Sequence, residues 1–282
     1  MFLKKKALLI LVLISTILFL IGCSNGTDGD YTLTINEIGN GRVSIDPASQ
    51  SYVENQKVTL NAIPDADWRF AYWEGSGINN TIPELDLVMT DDISLQATFG
   101  QISRESYFEN NKNPGDFWFI DSYDYVTYEI KNEKYSITIH QDDIQQGIIA
   151  PYNSDFFIEL DVQFITDNHG VYGTWFNFDS NSNNHYLFKI SSNGHYSIGR
   201  MIDGNMEYID EWLESDLINI SEGVKNNIAI RKNNDVYTIY VNGQYLNEVK
   251  VNQVSEPEFG LFVWADVSPV EVAFDNIIEL AL

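Results

Sequence analysis

Phe156-Phe157-Ile158-Glu159-Leu160-Asp161-Val162-Gln163-Phe164 is the stretch whose reading decides the fold. Phe156, Ile158, Leu160, Val162 and Phe164 fall on every second residue, and polar groups occupy 159, 161 and 163. Side chains alternate across a strand, so this period of two puts the apolar set on one face and the polar set on the other. The same alternation recurs at Tyr135, Ile137 and Ile139, at Tyr237, Ile239 and Val241, and at Val270, Val272 and Phe274. Turn signals stand between such runs at Ser192-Asn193-Gly194, Asp203-Gly204 and Asn242-Gly243, because Gly, Asn and Asp accept positive φ at little cost. No segment reads as a helix of about ten residues or more. Residues 103–282 are therefore predicted to form a β-sandwich of many short strands.

Upstream, residues 31–100 repeat the alternation on a smaller scale. Tyr31, Leu33 and Ile35, then Val43 and Ile45, then Val58, Leu60 and Ala62, and finally Leu95, Ala97 and Phe99 are spaced two apart. The aromatic run Trp68-Arg69-Phe70-Ala71-Tyr72-Trp73 supplies bulk for a core that about 70 residues could not otherwise fill. Two units follow, 31–100 and 103–282, with a short join at Gly100 to Ser103.

Composition agrees and narrows the function. Aromatic residues make up 13% of the 282, a bias toward strands. Sixteen Lys and Arg against 41 Asp and Glu give a formal net charge of −25. Such a surface repels phosphate, which excludes nucleic acid as a partner. The single cysteine, Cys23, excludes a disulfide framework and a cysteine metal cluster.

Cys23 has a different context. Lys4, Lys5 and Lys6 precede an apolar run from Ala7 to Ile21, too short to span a bilayer and lacking a basic flank beyond it. The run ends Leu20-Ile21-Gly22-Cys23, followed by the polar stretch Ser24 to Asp30. This resembles the lipobox of bacterial lipoproteins. The resemblance implies a signal peptide over residues 1–22, cleavage before Cys23, palmitate-type acylation of that thiol, and a tether over 23–30. The expected address is extracytoplasmic, at the bacterial cell membrane, held by acyl chains.

The order Gly41-x-Val43, Pro47, Tyr52, Val58-Thr59-Leu60, Ala62, Pro64, Phe70, Trp73-x-Gly75, Met89, Ala97, Phe99 resembles the divergent internalin B-repeat module of bacterial surface proteins. That family implies a small, non-enzymatic, β-grasp-like unit with a spacer or adhesion role. One departure is visible: Asp67-Trp68 stands where the family usually has a Gly shortly before the Phe. In the second unit, Gly170-Val171-Tyr172-Gly173, Asn184 to Ile190, Gly194-His195-Tyr196, Val241-Asn242-Gly243, Phe259-Gly260-Leu261-Phe262 and Val272 to Asn276 resemble concanavalin-like, laminin-G-like jelly-roll modules. The expected fold is all-β, with the β-grasp-like repeat module followed by the jelly-roll sandwich.

Three groups of residues in the second unit are candidates for function. Glu159, Asp161 and Gln163 share one strand face. Retaining glucanases of the jelly-roll class carry Glu-x-Asp-x-Glu at such a strand, and Gln163 leaves the acid/base position without a titratable group. Asp179, Asn181 and Asn183 place oxygens at alternate positions as a calcium loop does, but Asn184 and Ile190 stand where an EF-hand needs Gly and Glu. An Asx-rich turn explains the same residues, so calcium is the candidate cation and no other cofactor is indicated. Trp175, Trp212 and Tyr172 lie near acidic and amide residues, the pairing from which sugar platforms are built, although a jelly roll also packs its core with such rings. The histidines at 140, 169, 185 and 195 show no metal-binding spacing, and no Gly-x-Ser-x-Gly elbow or P-loop is present. The expected activity is non-catalytic binding or presentation at the cell surface, toward a polysaccharide or another surface protein. The competing classes are a jelly-roll glycoside hydrolase and a structural spacer.

Overall fold

A computed structural model describes residues 31–282 except 116–117, 152–154, 167–168, 253 and 255–256. The leader, Cys23 and the tether lie outside the described residues. Among those described, the regular structure is almost wholly strand, with one short 3-10 turn at Glu109–Asn111.

The first unit contains β1 (Leu33–Ile38), β2 (Gly41–Asp46), β3 (Lys57–Pro64), β4 (Trp68–Gly75), β5 (Ile78–Asn80), β6 (Glu84–Val88) and β7 (Ile93–Ser106). β2, β3 and β6 form one antiparallel sheet, while β1 runs parallel to β7, which pairs on its other side with β4. Trp73, Phe70, Phe99, Leu60, Val58 and Met89 fill the space between. Trp73 is fully buried, and its indole Nε1 donates to the Ile82 carbonyl at 2.9 Å, so the ring brings no unsatisfied donor inside. The departure at Asp67 has a simple reading: Asp67 takes φ 63°, the left-handed conformation a glycine would supply, and Asp is among the few other residues that tolerate it.

The second unit contains β8 (Asp121–Ser122), β9 (Val126–Lys131), β10 (Lys134–Ile139), β11 (Ile144–Pro151), β12 (Phe156–Thr166), β13 (Gly170–Asp179), β14 (Asn184–Ser191), β15 (His195–Ile202), β16 (Asn205–Glu214), β17 (Asn226–Asn233), β18 (Val236–Val241), β19 (Gln244–Lys250), β20 (Glu258–Ala265) and β21 (Val270–Ala281). They form two stacked sheets. The front sheet has the order β11-β20-β13-β14-β15-β16, and the back sheet runs β19-β18-β17-β12-β21-β10-β9-β8. The expected hairpins form at their turn signals, with Asn242 and Gly243 at φ 51° and 81° and Asp203 and Gly204 at 51° and 77°. Between the sheets, Phe156, Ile158, Leu160, Val162 and Phe164 of β12 meet Tyr172, Phe176 and Phe188 of the front sheet. Each such ring or branched chain contributes about 1.5–3 kcal/mol by leaving water.

The join at Gly100 to Ser103 is the middle of β7 rather than a connecting loop. Residues 96–101 of that strand pair with β4, and 101–106 pair with β21 of the sandwich. Gly100 makes this possible, since a Cβ there would meet the Leu280 side chain at 2.6 Å. A bridge between β5 and β19 closes the junction at a second place, so the back sheet continues into the first unit. Ala71 and Tyr72 of β4 pack on Phe157, Ala229, Tyr240 and Leu280, all of which point away from the sandwich core. Arg231 lies across this contact. Its guanidinium reaches both Glu74 carboxylate oxygens, at 3.1 and 3.3 Å, and lies 4.4 Å from the centre of the Tyr72 ring. The first unit thus covers part of the back sheet's outer face.

Candidate functional site

The two outer faces of the sandwich separate the residues singled out by sequence. Glu159, Asp161 and Gln163 belong to β12 and face away from the sandwich core, as alternation requires. Outward does not mean exposed here. Glu159 lines a cleft of about 210 Å³ between the units, beside Pro64, Arg69, Phe70, Thr81 and Pro83. Glu159 is half-buried, and Asp161 is buried. The outward positions are nevertheless covered: the first unit lies over Glu159, and the Lys225 and Asn276 side chains close on Asp161. Asn227 Nδ2 donates to both carboxylates, to Glu159 Oε1 at 2.8 Å and to Asp161 Oδ1 at 3.2 Å. Lys225 and Asn276 add bonds of 2.7 and 2.8 Å to Asp161 Oδ2.

Burial pushes the Glu159 carboxyl above the ordinary carboxylate range, and the Asn227 bond only partly offsets this. Burial also pushes Asp161 upward, but its bonds from Lys225, Asn276 and Asn227 outweigh that and hold it below its ordinary value. Two carboxyls with opposed shifts are the raw material of acid–base chemistry. Here one lies under the first unit, the other is tied by three donors, and Gln163 supplies an amide at the third position.

The front sheet presents a different outer face. On β13, Val171, Gly173 and Trp175 point outward; on β14, Leu187 and Lys189; on β20, Phe262 and Trp264. A Cβ at Gly173 would meet the Phe262 ring at 2.9 Å, so glycine lets that ring lie flat on the strand. Trp175 stacks on Phe262 with centroids 5.3 Å apart and planes 17° apart. Lys189 holds its ammonium 5.0 Å from the Tyr208 ring centre and 5.2 Å from that of Trp212, and burial lowers its pKa. Trp212 itself sits at φ 44°, beside the bulges between β15 and β16. His185 packs between Trp175 and Phe178, and burial lowers its pKa too. The Trp175 Nε1 and His185 Nε2 atoms are buried without a hydrogen-bond partner among the described residues.

At one end of this face is a cleft of about 370 Å³. Trp212, Trp264 and Val171 give its apolar wall, and Ser191, Asn193 and His195 stand among its polar groups. His195 Nδ1 lies 3.1 Å from Asn193 Oδ1, and the Ser191 hydroxyl donates to the same amide oxygen. Rings that present a face beside hydroxyl, amide and imidazole groups can stack a flat apolar ligand surface while bonding its polar rim.

Of the three aromatic candidates, Trp175 and Trp212 lie on this outer face, and Tyr172 does not. Its side chain is fully buried between the sheets, and its hydroxyl accepts from Asn226 Nδ2 at 2.9 Å. Tyr172 is a core residue, because it occupies the inward parity that Val171 and Gly173 leave. Trp264, Phe262, Tyr208 and Lys189 were not singled out from sequence, although Leu261 and Val263 fix the outward parity of both neighbours. Asp179, Asn181 and Asn183 form an Asx turn: Asp179 Oδ1 accepts from the Asn181 amide at 3.0 Å and Oδ2 from the Ser182 hydroxyl at 2.7 Å. Those bonds, the Ser182 hydroxyl foremost, hold the carboxyl below its ordinary pKa. No group of three or more His, Cys, Asp or Glu suited to a metal occurs among the described residues.

A family model described as the divergent InlB B-repeat domain matches residues 31–103. No curated protein matches the chain in sequence. Several solved structures are similar in fold. The carbohydrate binding module CBM66 from Bacillus subtilis is 20% identical with a TM-score of 0.43, over 51% of this chain and 86% of that one. The laminarinase (endo-1,3-beta-glucanase) catalytic domain from Thermotoga petrophila is 10% identical at 0.48, over 64% and 98%. The beta-glucanase of Bacillus licheniformis is 10% identical at 0.46, over 64% and 100%.

Proposed function

We propose that this chain is a non-catalytic polysaccharide-binding protein, with the cleft on the front sheet as its ligand site. The observation that carries the reading is the wall formed by Trp212 and Trp264 beside Ser191, Asn193 and His195. A pyranose presents an apolar C–H face and a rim of hydroxyls, and this wall offers a counterpart to each. The carboxylates of β12 support the non-catalytic side of the reading, since they lie on the back sheet, away from the tryptophans. The strongly acidic surface favours neutral glycans over anionic polymers. The sequence before residue 31 supports an extracytoplasmic lipoprotein anchored through Cys23, with the first unit holding the sandwich at a distance from the membrane.

A glycan array probed with the protein and with Trp264→Ala tests the site. Binding to at least one neutral glycan is expected, weakened about tenfold or more in the variant by loss of the stacking face. A protein that binds no glycan, or a Trp264→Ala variant that binds unchanged, overturns the assignment.

A further inference from the structure

A second cluster of rings lies at the opposite edge of the sandwich. Phe119, Tyr123 and Tyr125 are 46%, 43% and 38% exposed, which is unusual for three neighbouring aromatics in a chain that buries most of its large rings. They are ordered rather than scattered. Phe119 and Tyr123 are stacked with planes 13° apart and centroids 6.5 Å apart, and Tyr123 and Tyr125 with planes 17° and centroids 5.8 Å apart. Phe119 meets Tyr128 edge-on at 5.4 Å, which ties the row to the core.

The rings border a groove of about 380 Å³ between β9, next to the short edge strand β8 of the back sheet, and β11 at the edge of the front one. Its floor is polar. The Tyr128 hydroxyl donates to Gln146 Oε1 at 3.3 Å. Burial pushes the Tyr128 phenol up to about 12, and the Tyr125 and Tyr123 phenols add to the effect. The Asp121 carboxylate, two residues before Tyr123 on β8, raises the Tyr123 phenol.

We propose that this groove is a second binding site, for a neutral oligosaccharide. The exposed rings of Phe119, Tyr123 and Tyr125 offer apolar surface to the C–H groups of a sugar, and the Tyr128 and Gln146 side chains that line the groove offer polar groups to its hydroxyls. Asp121 and the net charge of −25 disfavour a phosphate, a sulfated chain or an anionic lipid surface. The site shares no lining residue with the Trp212 and Trp264 cleft. With two sites on one molecule, a long glycan engaged at both gains avidity without any new contact.

The test uses protein labelled with carbon-13 in its Tyr and Phe rings, titrated to about 10 mM with cellohexaose, laminarihexaose, maltohexaose, xylohexaose and chitohexaose. At least one is expected to shift the Tyr123 and Tyr125 signals. Phe119→Ala combined with Tyr123→Ala should weaken that response about tenfold, and Trp264→Ala should leave it unchanged, which separates this site from the front cleft. Tyr123→Phe keeps the ring, so it should retain most of the binding even if the double variant loses stability. No shift with any of the five, or shifts that survive the double variant, overturns the proposal. So does co-sedimentation with phosphatidylcholine or phosphatidylglycerol vesicles that requires the same rings, which would make the patch a membrane contact.

Discussion

The ion pair between Arg231 and Glu74 reports directly on how the two units are held together. The partners differ sharply in burial: the Arg231 side chain is 7% exposed and that of Glu74 is 46%. Removing Glu74 leaves a buried guanidinium whose partners among the described residues are Thr238, at 3.3 Å, and the Tyr72 ring. Removing Arg231 leaves a carboxylate that water can reach. Orphaning one partner of a fully buried pair costs about 3–5 kcal/mol, and pairs in water contribute under about 1 kcal/mol. A half-exposed Glu74 places Glu74→Ala between these limits, at about 1.5 kcal/mol. Arg231→Met, which keeps apolar bulk against Tyr72 and frees a solvated carboxylate, should cost about 0.5 kcal/mol. For a chain of this size the first figure corresponds to a fall in melting temperature of about 3–6 °C. Because β7 and the Tyr72, Phe157 and Tyr240 cluster also join the units, we expect one cooperative transition in wild type and in each variant. The measurement is a double-mutant cycle by calorimetry and urea unfolding, followed by both circular dichroism and tryptophan fluorescence. A cost for Arg231→Met equal to or greater than that for Glu74→Ala would refute the burial argument. Two separate transitions in wild type would refute the fused architecture.

Two further outcomes follow from single side chains. Glu159→Gln keeps an acceptor for Asn227 Nδ2 and removes a buried charge. The folded Glu159 pKa lies above its unfolded value, so its contribution is full below the unfolded pKa, near 4.5, and is lost as pH rises through the folded one. The variant should therefore be more stable than wild type at pH 7, with the gap closing toward pH 4; urea midpoints at the two pH values check this, and a gap that widens on acidification would contradict it. Cys23→Ala should move the protein from the membrane fraction to the soluble one, because the tether would lose its acyl chains; palmitate incorporation that persists in the variant would rule out Cys23 as the attachment point.

The strands, hairpins and inward core of the sandwich were legible because alternation is a local property. Phe156 to Phe164 needs no partner to declare which side faces the core. The covering of the other side is not local. Glu159 and Asp161 read only as outward polar positions because nothing within β12 shows that Phe70 and Pro83, some 75–90 residues earlier, lie over the first of them, or that Lys225, just before β17, and Asn276, on β21, close on the second. The join at Gly100 was equally hidden. Gly100 has the composition of a linker, and only the approach of Leu280 shows that the glycine serves a continuous strand.

A finer signal was nonetheless present in the residues that break the alternation. Phe157, Ala229, Tyr240 and Leu280 are apolar at outward positions of the back sheet, and all four converge under the first unit. Val171, Leu187, Phe262, Trp175 and Trp264 are apolar at outward positions of the front sheet. The two sets look alike in sequence, because each is a group of apolar side chains that its own sheet cannot bury. The difference lies in what covers them. The first unit meets the back set through Ala71 and Tyr72. Among the described residues the front set meets no second layer: Trp175 closes over Phe262, and Trp212 and Trp264 border an open cleft. Apolar rings held beside Ser191, Asn193 and His195 are suited to a partner that arrives from outside, so under the proposed function one face of the sandwich serves assembly within the chain and the other recognition beyond it.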